Sequence, residues 1–523
     1  MINSFVTAKI LDNFGFIPTS EQHEAIDKIG EFLVSRDGME VFLLRGYAGT
    51  GKTTLISALV KALVQLEQSV VLMAPTGRAA KVFASYAKQP AYTIHKRIYR
   101  QKSITDTDSF SLNVNLSKHT LFIVDEASMI ANDGLSSSVF GTGRLLDDLI
   151  QYVYSGEGCR LMLLGDTAQL PPVGEEESPA LMPNLLASYG LQVYEKTLTQ
   201  VMRQLSESGI LYNATAIRYQ LMEMRVESRE MQDENSFRSN GDASLSTFHF
   251  PIFSPDVAPI SGADLIDSLE TSYSRWGTDD CIIICRSNKR ANIYNQGIRN
   301  RILYREDELC AGDRIMIVKN NYYWVEQEMK KLIVESGKMK TENEKTSQSS
   351  TFNSHPSTFN PQLPLSFIAN GDIAIVRRVR RTREVYGFRF ADVLLRFPDY
   401  DDYEMETTVL LDTLQSESPS LTREESERLF QSVMEDYNHL TTKKERYQHL
   451  RLDPHFNALQ IKYAYAVTCH KAQGGQWGCI YLDQGYLPPD LSPIDYHRWL
   501  YTAFTRATEQ VYLVNWPTSS TSI

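Results

Sequence analysis

The stretch "GYAGTGKTT", residues 46–54, decides the fold of the first part of this chain. It matches the pattern G-x-x-x-x-G-K-[ST], follows the apolar run "VFLLR" and precedes the helix-prone run "TTLISALVKALVQL". A strand, a glycine-rich loop and a helix in this order form the context that a phosphate-binding loop requires. Its glycines let backbone N–H groups converge on phosphate oxygens, while Lys52 supplies a positive charge and Thr53 a hydroxyl for Mg²⁺. The stretch predicts a nucleotide site, with a chance glycine turn as the alternative. The residues expected to contact the nucleotide are Gly46, Ala48, Gly49, Thr50, Gly51, Lys52, Thr53 and Thr54.

Two carboxylates follow a later apolar strand, "LFIVDEAS" at residues 121–128. Asp125 at the strand tip is a candidate to hold Mg²⁺ through water, and Glu126 is a candidate to orient and deprotonate the attacking water. An acidic pair after a strand is common by itself and is often only a solvated strand end. Since the phosphate-binding loop lies upstream in the same α/β domain, both features are expected at the carboxyl edge of one sheet, where such sheets bind ligands.

Two further polar segments point to the same nucleotide. The segment "LMLLGDTAQLPPVG" (161–174) puts Gln169 at a third strand end, where an amide can bond both the γ-phosphate and water. The segment "IPTSEQHEAI" (17–26) contains Gln22, whose amide has the right groups to bond the adenine edge. Gln22 also fits a second interpretation, because it follows two hydroxyl residues of the kind that begin helices.

Two arginines beyond the first α/β domain are candidates to couple hydrolysis to domain movement. Arg203 lies in "LTQVMRQ" and Arg506 lies in "YTAFTRA". An arginine from a neighbouring domain stabilises the charge of phosphoryl transfer and makes hydrolysis depend on domain closure. Each also has the ordinary interpretation of a surface charge.

Composition sets broad limits. A chain of 523 residues is too long for one core and predicts about two to four domains. The net charge of −11 gives no overall indication of nucleic-acid binding, although a local basic stripe would suffice. Six cysteines without a CxxC pair indicate buried reduced thiols rather than a metal site. The N-terminus lacks a signal-peptide pattern, and no apolar run approaches the length of a membrane span, so we expect a cytoplasmic protein with no membrane partner.

Apolar strands with helical patterns between them run through most of the chain. Runs that are apolar throughout indicate parallel sheets covered by helices on both faces. Two clusters of such runs, before about residue 190 and after about residue 280, predict two α/β domains. The clearest runs are "EVFLLRG" (40–46), "SVVLMAP" (69–75), "TLFIVDE" (120–126), "RLMLLGD" (160–166), "CIIICRS" (281–287), "YAYAVTC" (463–469) and "QVYLVNW" (510–516).

Different material interrupts the second cluster. A polar segment rich in Ser, Thr, Asn and Pro, at about 337–364, predicts a mobile loop. Residues 365–412 then show short strands separated by polar turns, which predicts a small β-barrel. The second α/β domain is therefore expected to carry an inserted β-module at residues 321–451.

A series of motifs covers nearly the whole chain, from residue 20 to residue 510. In order, they are "SEQHEAI", "GYAGTGKTT", "APTGRAA" (74–80), "YTIHKRI" (92–98), "VDEASMI", "GDTAQLPPV", "LTQVMRQ", "TCHKAQGGQW" and "YTAFTRA". This series resembles the superfamily 1 helicases of the 5′→3′ branch, and within them the RecD-like and phage Dda-like DNA helicases. "GDTAQLPPV" and "YTAFTRA" are the most specific of these motifs.

The resemblance implies an α/β fold with two RecA-like P-loop NTPase domains and with ATP and Mg²⁺ between them. The first domain would be residues 1–188, with a small β-hairpin insertion at 98–120 that splits the duplex. The second would consist of residues 189–320 and 452–523, interrupted by an SH3-like β-barrel insertion at 321–451. Family roles then fall on Gln22, Lys52, Thr53, Asp125, Glu126, Gln169, Arg203 and Arg506.

The resemblance also implies a DNA path over both domains. In the first domain the DNA-contact candidates are Pro75, Thr76, Thr93, His95 and, as a base-stacking residue of the hairpin, Phe110. Core packing inside the hairpin module explains Phe110 equally well. In the second domain the locally basic run at 283–301 contributes Asn288 and Lys289, with Arg286 and Arg290 as further phosphate candidates. A solvated helix face is the alternative for that run.

The segment "TCHKAQGGQWG", residues 468–478, is expected to face both ligands. Thr468 and His470 are DNA-side candidates, Lys471 is a candidate for a backbone phosphate, and the residues up to Gln476 would approach the ATP cleft. The next residue, a tryptophan, is expected in the core. The family often has a glutamate where this chain has Gln476, so an amide would replace the carboxylate that recognises the ribose.

These features predict an ATP-dependent DNA helicase that moves 5′→3′ on single-stranded DNA and unwinds duplex. The expected partners are single-stranded DNA, duplex junctions and proteins of DNA repair or recombination, and the expected state is a monomer. Two alternatives stay open. One is a nucleic-acid-stimulated ATPase that remodels protein–DNA complexes without strand separation, and the other is the helicase subunit of a nuclease complex.

Overall fold

The computed structural model describes residues 2–35, 37–103, 106–134, 141–202, 208–233, 248, 250, 254–332, 334, 363–365 and 367–516. The chain divides into two compact units, Met1–Tyr304 with Tyr465–Ile523, and Arg305–Ala464. Two parallel sheets belong to the first unit, and a closed β-barrel belongs to the second. The polar loop predicted at 337–364 lies outside the described residues except for its last two positions.

The first parallel sheet has six strands in the order β3-β2-β6-β7-β1-β8. The strands are β1 (Glu40–Gly46), β2 (Val70–Ala74), β3 (Ala91–Thr93), β6 (Leu121–Val124), β7 (Arg160–Gly165) and β8 (Gln192–Leu198). Every neighbouring pair is parallel, so all six carboxyl ends meet at one edge. The central strands β1, β6 and β7 are buried over nearly their whole length, because helices and turns cover both faces.

The helices around this sheet follow the sequence pattern. They are α1 (Ile2–Asp12), α2 (Ser20–Val34), α3 (Lys52–Gln65), α4 (Gly77–Ala87), α5 (Ile94–Ile98), α6 (Leu145–Tyr154) and α7 (Pro183–Ser188). Phe42 and Leu44 on one face of β1 share an apolar core with Leu55 and Leu59 of α3. Burying each such side chain stabilises the fold by about 1.5–3 kcal/mol. This core therefore holds α3 against β1, the two elements that the loop connects.

A two-stranded antiparallel hairpin, β4 (Tyr99–Ser103) and β5 (Asp106–Leu112), follows α5. It lies within the segment 98–120 where the hairpin was predicted. The alternating run "FSLNVNLS" does not continue as a strand beyond Leu112. The reason is Asn115, whose buried amide donates to the backbone oxygens of Tyr152 and Val153, at 3.1 Å each. These two bonds anchor the chain to the end of α6 instead of to a strand partner.

The second parallel sheet has five strands in the order β16-β10-β17-β18-β9. They are β9 (Val257–Ile260), β10 (Cys281–Cys285), β16 (Ala466–Thr468), β17 (Trp477–Asp483) and β18 (Ala507–Val514). The helices are α8 (Gly209–Asp233), α9 (Leu265–Trp276), α10 (Asn288–Arg301), α14 (Cys469–Ala472) and α15 (Pro493–Phe504). Helix α15 is buried over most of its length, and it carries the polar side chains that matter below.

The second unit is built on a closed five-stranded barrel. Its strands are β11 (Arg314–Ile317), β12 (Ile373–Val385), β13 (Phe388–Phe397), β14 (Tyr403–Leu410) and β15 (Leu459–Tyr463). Its helices are α11 (residues 323–332), α12 (Arg423–Asp436) and α13 (Lys443–Leu452). The barrel closes because β15 pairs parallel with β14 and antiparallel with β11.

The predicted α/β class with parallel sheets is confirmed. The barrel unit extends beyond the predicted 321–451 on both sides, because β11 and β15 are needed to close it. The run "YAYAVTC" (463–469), predicted as one strand, is divided: its first residue ends the barrel strand Leu459–Tyr463, and Ala466–Thr468 form a strand of the second sheet. None of the described helices has the length and the apolar character needed to cross a membrane.

Asp372, at the entry to β12, gives the barrel a testable pH dependence. Its carboxylate is buried, accepts the N–H of Ala369 at 2.7 Å and accepts the hydroxyl of Tyr400 at 3.0 Å. Burial raises the pKa of Asp372 to about 7. The folded chain therefore binds a proton here that the unfolded chain has already lost above about pH 4. This side chain should lower the free energy of unfolding as pH rises from about 4 to 7, by at most about 1.4 kcal/mol per pH unit.

Urea unfolding of the wild type and of Asp372→Asn across this pH range measures the effect. We expect the stability of the wild type, relative to the variant, to decrease steadily as pH rises. Equal pH slopes for the two proteins would contradict the assignment of a raised pKa to Asp372.

Candidate nucleotide and nucleic-acid sites

The loop between β1 and α3 has the backbone geometry of a phosphate-binding loop. Gly49 and Gly51 have φ angles of +75° and +79°, in the left-handed region that favours glycine. A Cβ atom on Gly51 would lie 2.4 Å from Nε2 of Gln22 and 2.7 Å from Sδ of Met202. Glycine at this position therefore serves two needs, the φ angle and the space.

Lys52 and Thr53 open helix α3 directly after this loop. The Lys52 ammonium group donates to the backbone oxygen of Gly46 and, at 3.0 Å, to that of Tyr47. Its charge is thus held over the loop that a phosphate would enter. Thr53 is exposed in the first helical turn. The N-terminus of a helix, a lysine and an exposed hydroxyl together suit a phosphate chain with a bound cation.

The two predicted carboxylates lie at the end of β6. Asp125 accepts the N–H of Glu126 at 2.8 Å and also accepts the hydroxyl of Tyr86. Burial and the negative charge of Glu126 raise the pKa of Asp125 to about 6. Glu126 adopts a left-handed backbone conformation, with φ of +52°, and its carboxylate lies 3.5 Å from the guanidinium of Arg506. Among the described residues no group of three or more His, Cys, Asp or Glu could hold a metal ion, so a cation here would also need substrate oxygens.

Gln169 follows β7 and is buried, and its Oε1 makes no hydrogen bond with any residue that the structure describes. It lines a cavity of about 370 Å³ together with Arg45, Thr167 and Arg498. An amide with a free acceptor on a polar cavity is able to respond to a ligand or to water there. The adjacent Leu170 is fixed through its backbone.

Three side chains from the helices that flank the second sheet bind this strand-end region. Gln473 lies in the segment that was expected to approach the ATP cleft, whereas Tyr501 and Thr502 were not predicted. Gln473 donates to the backbone oxygen of Leu170 at 2.8 Å, and Thr502 accepts the N–H of the same residue at 2.7 Å. Tyr501 bonds to Ala48 and to Asp166. Tyr501 and Thr502 lie in the buried run "WLYTAF". A polar side chain in such a run points to a site only when a buried hydrogen-bond partner is already expected.

Gln22 has a different set of partners from the adenine predicted for it. Its Oε1 accepts the N–H of Thr19 in a capping box, at 2.9 Å, and its Nε2 donates to the backbone oxygen of Thr50, also at 2.9 Å. The geometry thus matches the second interpretation, a helix-start residue. It adds a contact to the phosphate-binding loop, while adenine recognition by Gln22 stays a prediction.

The DNA candidates of the first sheet gather at its carboxyl edge. Pro75 and Thr76 follow β2, while Thr93 ends β3, and the two strands are neighbours. Both threonine hydroxyls cap helices, since Thr76 accepts from Ala79 and Thr93 accepts from Lys96 at 3.2 Å each. Beside them, burial lowers the pKa of His95 to about 4, so its imidazole is neutral at neutral pH.

The candidates of the second sheet gather in the same way. Thr468 ends β16 beside Cys285 of β10, and α10 begins shortly afterwards with Asn288 and Lys289. His470 and Lys471 lie in α14, directly after β16. Burial lowers the pKa of Lys471 to about 8, so part of its charge is lost in mildly alkaline solution. Two side chains of the basic run are engaged inside the protein, because Arg290 is bonded to Asp483 and Arg286 lies 5.5 Å from the ring centroid of Trp499.

The segment predicted to couple the two ligands is anchored by the first sheet. Arg78 of α4 donates to the backbone oxygen of Gln476 at 2.8 Å, and its guanidinium lies 4.0 Å from the ring centroid of Trp477. Trp477 is buried, in keeping with the expected core position, while the side chain of Gln476 is exposed. Arg203 lies outside the described residues, as does the side chain of Phe110.

Replacing Gly51 with alanine should damage the nucleotide site in particular. The added Cβ meets Gln22, and the left-handed φ angle adds a backbone cost of about 1–2 kcal/mol. We expect the affinity for ADP, measured with a fluorescent analogue, to weaken at least about tenfold. Gly190→Ala is the matched control, because Gly190 has φ of +77° but no atom within 4 Å of the added Cβ. Similar ADP affinities in the two variants would contradict the role of the Gly51 contact.

Comparison with known proteins assigns these features to a family. A model described as "AAA domain" matches residues 19–233, and a model described as "UvrD-like helicase C-terminal domain" matches residues 463–514. The two ranges contain the phosphate-binding loop, the acidic pair, Gln169 and Arg506.

Two curated relatives agree with the models. The chain is 29% identical over 197 residues to the ATP-dependent RecD2 DNA helicase of Deinococcus radiodurans, covering 38% of this chain and 23% of the relative. It is 24% identical over 288 residues to the ATP-dependent DNA helicase dda of Enterobacteria phage T4, covering 52% and 55%. A crystal structure of Pif1 helicase from Bacteroides aligns with a TM-score of 0.42 at 14% identity, covering 96% of this chain and 94% of that one. The chain thus spans less than two thirds of these two curated relatives. By its motifs and by the models that match both ends of their series, the chain belongs to the superfamily 1 helicases of the RecD and Dda type, a family of ATP-hydrolysing DNA helicases.

Proposed function

We propose that this chain hydrolyses ATP to move 5′→3′ along single-stranded DNA and unwinds the duplex ahead of it. The contact between Arg506 and Glu126, 3.5 Å apart, carries the proposal. Arg506 directly precedes β18 of the second sheet and Glu126 follows β6 of the first, so an arginine reaches a candidate catalytic carboxylate from another sheet. Such an arrangement makes hydrolysis depend on how the two sheets are positioned.

In this scheme each residue of the nucleotide site has one task. Lys52 and the loop amides bind the phosphates, Glu126 orients and deprotonates the attacking water, and Gln169 senses the γ-phosphate. Arg506 stabilises the charge of phosphoryl transfer, and Arg203 is proposed as a second such residue. Gln476 is proposed near the ribose.

Magnesium fits the oxygen donors that the chain offers. Thr53 presents an exposed hydroxyl and Asp125 a carboxylate whose pKa of about 6 leaves it mostly ionised at pH 7.5. Both are hard oxygen ligands of the kind that Mg²⁺ prefers, with substrate phosphates completing its shell. When bound, the ion supplies positive charge to the phosphate oxygens.

Single-stranded DNA is proposed to cross the carboxyl edges of both sheets. The neutral His95 and the two capping threonines would contact sugars and bases, while Lys289 and Lys471 would contact phosphates. In the first sheet and again in the second, the candidates gather beside neighbouring strand ends, which supports a continuous path. The two sheets are proposed as RecA-like domains. The first extends past the predicted boundary at residue 188 to include β8, which ends at Leu198, and the second leaves out the barrel unit Arg305–Ala464, which is wider than the predicted 321–451.

Strand separation is assigned to the hairpin of β4 and β5, with Phe110 as the residue that stacks on a base. The barrel is proposed to be SH3-like. The DNA duplex ahead of the chain would meet the hairpin before its single strand enters the path over the two sheets. Without a wedge of this kind, the same ATPase would only displace bound proteins.

Lys52→Ala should abolish ATP hydrolysis and unwinding together. Removing a preorganised positive charge from the transferred phosphate costs about 10²–10³ in kcat. A coupled-enzyme ATPase assay with saturating single-stranded DNA measures the loss. Lys61→Ala, an exposed position on the same helix α3, serves as the control and should behave like the wild type. Normal unwinding by Lys52→Ala would remove Lys52 from the mechanism.

The direction of movement is tested with partial duplexes that carry either a 5′ or a 3′ single-stranded tail. We expect ATP-dependent strand displacement from the 5′-tailed substrate and little from the 3′-tailed one. Displacement from 3′ tails alone would overturn the polarity. ATP hydrolysis that is stimulated by single-stranded DNA but displaces neither strand would favour the protein-remodelling alternative.

A further inference from the structure

One buried hydroxyl joins the phosphate-binding loop to the end of β7. Tyr501 of α15 is 1% exposed, and its hydroxyl oxygen accepts the N–H of Ala48 at 2.8 Å. The same hydroxyl donates its proton to Oδ2 of Asp166 at 2.7 Å. A phenol can do both at once, because its oxygen accepts while its proton is donated. Burial and the nearby carboxylate of Asp166 raise the pKa of Tyr501 well above its usual range, so the donor proton is kept.

The residues that follow Tyr501 add a second contact beyond β7 and a contact beyond β6. Thr502 accepts the N–H of Leu170 at 2.7 Å, beyond β7. Arg506 reaches Glu126 beyond β6, and its Nε donates back to the backbone oxygen of Thr502 at 3.1 Å. The guanidinium is therefore tied to the last turn of α15, and its position follows that turn.

Ala48 belongs to the phosphate-binding loop, whose backbone a bound nucleotide would contact. The amides after Ala48, at the start of α3, are those that converge on phosphates. A loop that adjusts to bound phosphates moves Ala48 with it, and Tyr501 links that movement to the helix end that holds Arg506.

We propose that Tyr501 is a positioning residue that couples the state of the phosphate-binding loop to the placement of Arg506 on Glu126. The inference rests on the proposed ATPase function and assigns a regulator to the same site. Tyr501 touches neither the phosphates nor the reacting water in this scheme. Its effect on the reaction passes through Arg506.

A purely structural role predicts something different. The bonds from Thr502 and Gln473 to Leu170 fasten the second sheet to the same strand end without Tyr501. Loss of one hydroxyl would then reduce stability and leave the rate unchanged. Tyr496 offers the matched comparison, because it lies on the same helix, is fully buried, donates to Gln484 at 2.9 Å and accepts the N–H of Phe248 at 3.3 Å.

The experiment compares Tyr501→Phe with Tyr496→Phe in the full chain. Each removes one buried hydroxyl with two hydrogen bonds, so we expect similar decreases in the melting temperature. For Tyr501→Phe we expect kcat of DNA-stimulated ATP hydrolysis to fall about tenfold, with the Kd for ADP within about twofold of the wild type. For Tyr496→Phe both parameters should stay within about twofold. Equal kcat values in Tyr501→Phe and the wild type would overturn the proposal.

A double-mutant cycle tests the route through Arg506. In an Arg506→Ala background, measured in single-turnover reactions, adding Tyr501→Phe should lower the rate by less than about twofold. A full second tenfold loss would mean that the two residues act independently and would reject the coupling. Should Tyr501→Phe fail to fold, Asp166→Asn takes its place, because the single oxygen of the amide is needed to accept the N–H of Ala168 and the NH₂ group then faces the hydroxyl of Tyr501. A wild type without ATPase activity would reject the proposed function, whereas an active wild type matched by these variants rejects only this inference.

Discussion

The parallel arrangement of β6, β7 and β1 is the constraint on which the rest of the site depends. These three strands are neighbours, so their carboxyl ends form one row that presents the acidic pair, Asp166 with Gln169, and the phosphate-binding loop. At this edge the N–H groups of Ala48 and Leu170 and the backbone oxygen of Leu170 are bonded by side chains that lie outside the first sheet. Each such group costs about 1–3 kcal/mol when it is buried without a partner. The second sheet supplies those partners, and this is why polar side chains occur on the buried helix α15.

At this edge two adjacent carboxylates are faced by two positively charged side chains, one from each sheet. Asp125 and Glu126 are adjacent carboxylates, and their repulsion together with burial accounts for the raised pKa of Asp125. Lys52 stabilises the ionised form from the side of the phosphate-binding loop, and Arg506 approaches Glu126 from the second sheet. The left-handed backbone of Glu126 is an unusual conformation for a non-glycine residue and is of the kind that is concentrated at functional sites. Here it accompanies a carboxylate that lies within reach of a charge on another sheet.

The sequence was sufficient for the local features and insufficient for their distant partners. Apolar runs followed by glycine or carboxylates predicted the strand ends correctly, because burial on both faces leaves a strong pattern. The division of residues 459–468 between the barrel and the second sheet could not be foreseen, since both parts have the same apolar alternation. Tyr501 and Thr502 were also missed, because a buried hydroxyl is informative only when its partner is known. Gln473 was expected near the ATP cleft, but its partner, the backbone oxygen of Leu170, was not foreseen. For Gln22, local capping competed with ligand binding, and the capping geometry is what the chain adopts.

The contact between Gln22 and Gly51 has a consequence for how this sequence can drift over time. The amide of Gln22 fills the space that a side chain at position 51 would need, so the two positions are not free to vary separately. A shorter residue at position 22 would relieve only the Gln22 part of the clash, since Met202 would still lie 2.7 Å from the added Cβ, and it would remove both the helix cap and the bond to Thr50. Substitution at either site alone is therefore costly, and neutral change should pass through both together. The order in which the two mutations arise therefore decides whether the intermediate protein is functional.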